Sequence, residues 1–308
     1  MKPGWTAGVT RARLLLSRAL GPEQTRAIAA LPSLEEALSA IAGSAYGERV
    51  QARFDIARAQ RATADTLLWQ LRVLAGWLPA TGARLMRALA AWFELQNIDA
   101  RLAALEGGGY EPPPFVLGAL VTAWPQIEQA RSVQQLADGI AGSAWGVPGG
   151  RTAAELALGM RVLWARRVHE AAPEAADWVA GAGALLVARE LFVAGSRERV
   201  VQLRRLPGIG EEALRAGSIP ELRSALHPRA AWALAGADEP RELWRAELEW
   251  WTRAERDATA MLARWSDETS VVLAAVMRLA ADAQRMARAL ELAAGGGGSA
   301  LTELLDAA

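Results

Sequence analysis

Few residues of this 308-residue chain could do chemistry: two pairs of adjacent acids, two histidines and one glycine turn. Glu35-Glu36 and Glu211-Glu212 are the paired carboxylates that acid–base catalysis or a divalent cation would need. Each pair, however, opens a helix-forming stretch, where the macrodipole favours negative charge without any reaction. His169 and His227 have no metal-ligand spacing and no candidate nucleophile beside them, and read as structural or surface residues. In LRRLPGIGEEALRAG, residues 203–217, the turn Gly208-Ile209-Gly210 could present backbone N–H groups to a phosphate; the same Pro-Gly text also serves as a tight turn between short helices. Trp69, Trp77, Trp92, Trp250, Trp251 and Trp265 suit core filling better than a cofactor box. An enzyme reading is left with an all-helical cavity and no nucleophile or paired-aspartate motif to work in it.

The elements that would position these residues are helices. Three times a Ser is followed three residues later by Glu or Gln ahead of a short apolar stretch: Ser33 with Glu36, Ser132 with Gln135, and Ser218 with Glu221. This is the capping box, in which the Ser hydroxyl accepts a backbone N–H of the first turn and the Glu or Gln reaches back. The first two boxes run into near-identical text, IAGSAYG at 41–47 and IAGSAWG at 140–146, so the chain carries an internal repeat.

Short helices are expected over 11–20, 22–31 and from Ser33 to Gly43, a left-handed stop, followed by long ones over 48–77 and 79–105. Gly107, Gly108 and Gly109 end the second long helix. The order recurs as short elements over 114–130 and at Ser132 with long ones over 152–168 and 175–193, then as short elements from Gly208 to Trp232 with long ones over 240–263 and 267–293. The expectation is an all-α fold of three pseudo-repeated helical modules, 1–109, 110–204 and 205–308, each with short helices and a long antiparallel pair. In the helix over 79–105, Arg87, Glu94 and Arg101 recur every seventh residue and read as a wet face opposite Leu85, Leu89 and Trp92. In the last helix Val272, Val276, Leu279, Ala283, Met286 and Leu290 read as core, opposite Arg278, Asp282 and Arg285. GGGGS at 295–299 suits a flexible tether to the tail LTELLDAA or an engineered linker.

Lys plus Arg number 34 and Asp plus Glu 34, so no global field steers the protein to nucleic acid or an anionic membrane. Cysteine is absent, which removes disulfides, thiolate metal ligands and a thiol nucleophile. The amino terminus carries Arg11, Arg13 and Arg18 around a short apolar run and does not read as a signal peptide. The longest uncharged run, Pro112 to Ile127, contains four prolines, so no membrane-spanning helix is expected.

Several of these segments resemble the C subunit of bacterial and archaeal V/A-type rotary ATPases, the family of the vacuolar subunit d. TRARLLLSRAL resembles that family's basic first helix, and SLEEALSAIAGSAYG its capped short helix, which places Tyr46 at the family's aromatic and Trp145 at the same position of the second copy. WFELQNIDARLAALEGGGYEP is similar to its long-helix signature, matched by Gln96, Asn97, Ile98, Arg101 and Tyr110, with Gln96 in place of an acid. The signature near 181–189 lacks the Asn, and the last helix has Arg285 and Met286 where the family tends to have Asn and Leu. The resemblance implies a funnel of three helical modules on the cytoplasmic face of the cell membrane. Its mouth would receive the central shaft, of D- and F-type subunits, and its base would rest on the membrane rotor ring. It implies no catalytic residue, cofactor, metal or nucleic acid. Arg285 and Arg288 would line the funnel, and Asn97 would tie a long helix to a neighbouring turn. The alternative is a helical nucleic-acid-binding protein using LPGIG as a helix-hairpin-helix-like turn.

Overall fold

Side-chain caps start the short helices where Ser-x-x-Glu/Gln text places them. The Ser33, Ser132 and Ser218 hydroxyls accept the N–H groups of Glu36, Gln135 and Glu221 at 3.2, 3.2 and 3.3 Å. The reciprocal bond lands one residue earlier than expected in two of them: Gln135 accepts from Arg131 N–H at 2.9 Å and Glu221 from Gly217 N–H at 2.8 Å. A complete box forms at Thr152 and Glu155, with bonds of 3.2 and 3.0 Å, and starts a long helix.

The computed structural model describes residues 4–108, 111–264 and 267–297. Gly109, Tyr110, Trp265 and the tail from residue 298 lie outside the described residues. Within them the regular structure is helical only, as expected of an all-α chain. The α-helices are α1 (Thr6–Leu16), α2 (Gly21–Ala29), α3 (Leu34–Ala40), α4 (Ile56–Trp77), α5 (Ala80–Leu105), α6 (Trp124–Ile127), α7 (Val133–Ala141), α8 (Ala153–Ala171), α9 (Ala176–Ala188), α10 (Arg197–Val200), α11 (Ile219–Ala225), α12 (Pro228–Ala231), α13 (Leu243–Ala263) and α14 (Glu268–Ala294). A π-helical turn at Arg189–Val193 follows α9 directly.

The repeated text folds alike in both copies. Ser44 donates to Ile41 O at 2.7 Å and accepts Tyr46 N–H at 3.2 Å; Ser143 does the same with Ile140 and Trp145 at 2.7 and 3.1 Å. The last glycine is needed for different reasons. Gly146 has φ +82°, whereas a Cβ on Gly47 would lie 1.8 Å from Ala42 O. Gly43 is not in the left-handed region, because this Ser-stapled turn ends α3 instead. The turns continue to Asp55, whose carboxylate caps α4 through Arg58 N–H at 2.8 Å, so that helix starts later than its periodicity suggests.

The chain forms two compact units, described here over 4–82 with 251–297 and over 83–250. In the first, α14 packs against α1, α2, α3 and α4. The expected core face is buried, and Val271, Ala274, Ala275, Ala281 and Ala289 are buried beside it. Around it Leu38 and Ile41 of the capped α3 segment meet Met286 and Leu290. After α14, Gly297 N–H bonds to Leu292 O and Gly296 N–H to Ala293 O, both at 3.0 Å, with Gly296 at φ +100°. That is a glycine helix stop, so the first glycines of GGGGS have a structural use.

In the second unit Leu136 and Ile140 of α7 meet Leu95, Ile98 and Leu102 of α5 and Leu156 and Met160 of α8. Ile219 and Leu222 of α11 share a cluster with Ala184, Leu185 and Ala188 of α9. Each such buried Leu or Ile contributes roughly 1.5–3 kcal/mol. The tryptophans differ from expectation: Trp77 is 53% exposed, and Trp69, Trp92, Trp250 and Trp251 are half-buried, whereas Trp5, Trp124, Trp145 and Trp178 are the buried ones.

Replacing Ser132 with Ala removes one cap bond and should cost about 1 kcal/mol, seen as a lowered denaturation midpoint at constant m-value. An unchanged midpoint would remove the cap from this account.

Candidate functional site

Within the charged stripes expected to face water, the two acids are buried and bind backbone. Glu94 is 0% and Asp282 1% exposed. Asp282 Oδ2 accepts the Tyr46 hydroxyl at 2.8 Å and Leu20 N–H at 3.2 Å, while Oδ1 accepts Gly21 N–H at 2.8 Å. Glu94 Oε1 accepts Trp145 Nε1–H and Ala123 N–H, each at 2.7 Å, while Oε2 accepts Thr122 N–H at 2.6 Å. Each carboxylate thus holds one aromatic donor and two consecutive backbone donors at the start of a short helix, α2 or α6. The aromatic donors are the two residues at the repeat's matching position, and the donor set suits a helix amino end, where backbone N–H groups lack partners.

The rest of the α5 stripe follows the same logic. Asn97 pairs with one residue in both directions, donating to Phe115 O at 3.0 Å and accepting Phe115 N–H at 2.7 Å. Arg101 Nε donates to Ala130 O at 3.1 Å and its Nη1 lies 2.8 Å from Glu111. Arg87 donates to Ala119 O at 3.3 Å, so residues 87, 94 and 101 form a polar seam that binds the segment 111–130. Gln96 is half-buried and outside this seam, and Tyr110 lies outside the described residues.

In the first unit Arg285 lies 3.7 Å from Asp282 and pairs with Glu255, which also takes Arg278 at 3.2 Å. These side chains form a chain of alternating charge, so Arg285 is an internal ion-pair residue. Arg288 is half-buried on the following turn of α14.

Burial first, then the charge of Asp282 and the hydrogen bond to it, raise the pKa of Tyr46 far above the ordinary tyrosine range. The Arg167 guanidinium stacks 4.2 Å from the centroid of the Trp145 ring; burial lowers its pKa while Glu94 and Glu170 oppose the shift. The third copy has no carboxylate. At Gly181 of α9 a Cβ would lie 2.6 Å from Trp232 Cζ2, and Trp232 donates instead to Arg229 O at 2.8 Å.

Tyr46 and Trp145 are therefore brought into the clasps, while Asn97 and Arg101 bind the segment 111–130; Glu94 and Asp282, the acceptors of the two aromatics, read in sequence only as members of wet faces. The available signal was position: Glu94 and Asp282 stand three residues before Asn97 and Arg285 in the two aligned signatures. Both carboxylates already accept three hydrogen bonds, which suits the joining of distant segments. The paired acids Glu35-Glu36 and Glu211-Glu212 stay at turn and helix starts, with Glu211 bonded to Arg215 at 3.1 Å. Among the described residues no group of three or more His, Asp or Glu is placed to hold a metal, and no helix is long and apolar enough to cross a membrane. No protein-family model matches the chain, and a search of curated proteins returns no match.

Replacing Glu94 with Ala leaves three buried donors without an acceptor and should cost about 3 kcal/mol or more, against about 1 kcal/mol for Trp145→Phe, which keeps the ring and loses one bond. Denaturant titration distinguishes them; equal losses would remove the carboxylate from the centre of the clasp. Tyr46 is held protonated in the native state while the unfolded chain ionises it near pH 10.0, so its contribution is complete below that pH and is lost as pH rises above it. Lys2 is the sole lysine, leaving the tyrosines to dominate this window. In a Tyr110→Phe protein, tyrosinate absorbance should rise only as far-UV helicity falls; a step near pH 10 with helicity intact would contradict the clasp.

Proposed function

We propose that this chain is a non-catalytic central-stalk subunit of a V/A-type rotary ATPase, of the C subunit family. In this reading it couples the D- and F-type shaft subunits to the membrane rotor ring during ATP-linked proton or sodium transport, as a funnel of three helical modules on the inner face of the membrane. The observation that carries the reading is that the text resembling the family meets in space. The aromatic of the repeated IAGSA[Y/W]G docks on a long-helix acid in both copies, and Asn97 and Arg101 of the long-helix signature bind the backbone that follows it.

Mechanical coupling gives this arrangement a use. A part that transmits torque must keep its short and long helices in register under load, and non-local bonds to a buried charge resist sliding in a way that surface ion pairs do not. Asp282 joins segments 261 and 262 residues apart in sequence through Gly21 and Leu20. The heptad of polar contacts along α5 holds the segment 111–130 at four points.

The proposal predicts co-purification with the shaft and ring subunits. It also predicts that deletion leaves ATP hydrolysis by the catalytic head intact while abolishing hydrolysis-driven ion pumping. Pumping that persisted in membranes lacking this chain would overturn the assignment.

A further inference from the structure

The two histidines of the chain, far apart in sequence, line one open cavity of about 430 Å³ in the unit 83–250, together with Pro207 and Gly208 of the glycine turn and Arg229. Four elements make the cavity: the last turn of α8 brings His169, α9 brings Ala176 and Ala180, the turn brings its Pro-Gly wall, and the start of α12 brings His227 and Arg229. The backbone N–H of His227 donates to Gly208 O at 3.3 Å and joins the turn to α12.

Each polar group at this cavity has donor capacity to spare. His227 Nδ1 accepts Arg229 N–H at 3.2 Å, which puts the proton of the neutral ring on Nε2 as a donor. His169 Nδ1 is shielded from solvent and has no hydrogen-bond partner among the described residues, so Nε2 is the ring nitrogen left to meet a ligand in the cavity. Arg229 Nε lies 3.5 Å from Asp177 Oδ1, and that pair leaves the terminal N–H groups of the guanidinium to bind an oxyanion. Ala176 and Ala180 add apolar wall.

We propose that this cavity binds a small phosphate monoester. Arg229 supplies charge and forked donors to the phosphoryl oxygens, His169 and His227 each donate one ring N–H, and the alanines and Pro207 face the carbon skeleton. An oxyanion fits this donor-rich set better than a cation does, since no carboxylate is among the lining residues and Asp177 nearby is already paired with Arg229. The volume lies within the range of small-molecule pockets and exceeds what inorganic phosphate alone would fill. The site is independent of the carboxylate clasps and of the rotary reading.

Isothermal titration of the purified chain with AMP, ribose 5-phosphate and inorganic phosphate, and separately with a 20-base-pair duplex DNA, tests the assignment. At least one monoester should bind saturably and more tightly than inorganic phosphate. Arg229→Ala, at an exposed position, and His169→Gln should each weaken that binding about ten-fold or more while far-UV circular dichroism stays unchanged. Binding of the duplex without binding of a monoester would overturn the proposal in favour of a nucleic-acid turn. Absence of saturable binding by any probe, or binding indifferent to Arg229→Ala, would overturn it outright.

Discussion

A buried carboxylate is tolerable only when its oxygens are fully used. Taking an ionised carboxylate out of water costs several kcal/mol even after relaxation, and the return depends on the geometry of its partners. Asp282 and Glu94 meet that condition in the same way, each with one aromatic donor and two adjacent backbone donors. The requirement reaches outward from the acid. Two consecutive N–H groups left free at a helix start can point at one carboxylate, and α2 and α6 start where Asp282 and Glu94 meet them. The aromatic can reach it only if the Ser44 or Ser143 turn bends the chain behind the capped helix. Leu38 with Ile41, and Leu136 with Ile140, then lie against the long helix that carries the acid.

The third copy shows what happens when the charge is dropped. At Gly181 of α9 the indole of Trp232 occupies the space a side chain would take, and the neighbouring Trp250 donates to Trp178 O at 2.9 Å. An apolar filling of this kind avoids the desolvation cost and often equals a buried charge in stability. What it gives up is direction, because packing area fixes distance less sharply than three hydrogen bonds to one group. The long helix α9 has correspondingly become apolar all round, with Ala180, Ala184, Val187 and Ala188 buried.

Helix starts were legible because a Ser with Glu or Gln three residues on is a local signal, and all three expected caps form. The long helices and the buried face of α14 were legible from spacing alone. The environment of the opposite face was not. Periodicity reports that Arg87, Glu94 and Arg101 share a side of α5, yet the partner on that side is a stretch of turns rather than water, and turns offer backbone donors and acceptors. Polar residues that bind backbone look, in sequence, like polar residues that face solvent. The same limit applies to the tryptophans, whose size predicts contact but not full burial, as Trp77 shows. The histidine cavity was illegible for a different reason, since it joins the end of α8, α9, a Pro-Gly turn and α12.

Which long helix serves which short helices is a further consequence of the clasps. The short helices α6 and α7 share a core with α5, which precedes them in sequence, and α12 docks on the preceding α9. The opening helices α2 and α3 have no long helix before them, and α14, at the far end, takes that place. The first unit is therefore discontinuous in sequence, while the second, 83–250, is contiguous. During synthesis every internal contact of the contiguous unit is available before residues 251–297 emerge, whereas Tyr46, Leu20 and Gly21 must wait for Asp282. Contacts of such long sequence separation form late, because loop closure precedes any gain from them. Until α14 arrives, the face of α2 and α3 that meets Met286 and Leu290 has no long helix to cover it. The charge on Asp282 thus sits at the step that completes the first unit, where a misplaced register would leave a buried carboxylate unpaired and would be rejected on energy alone.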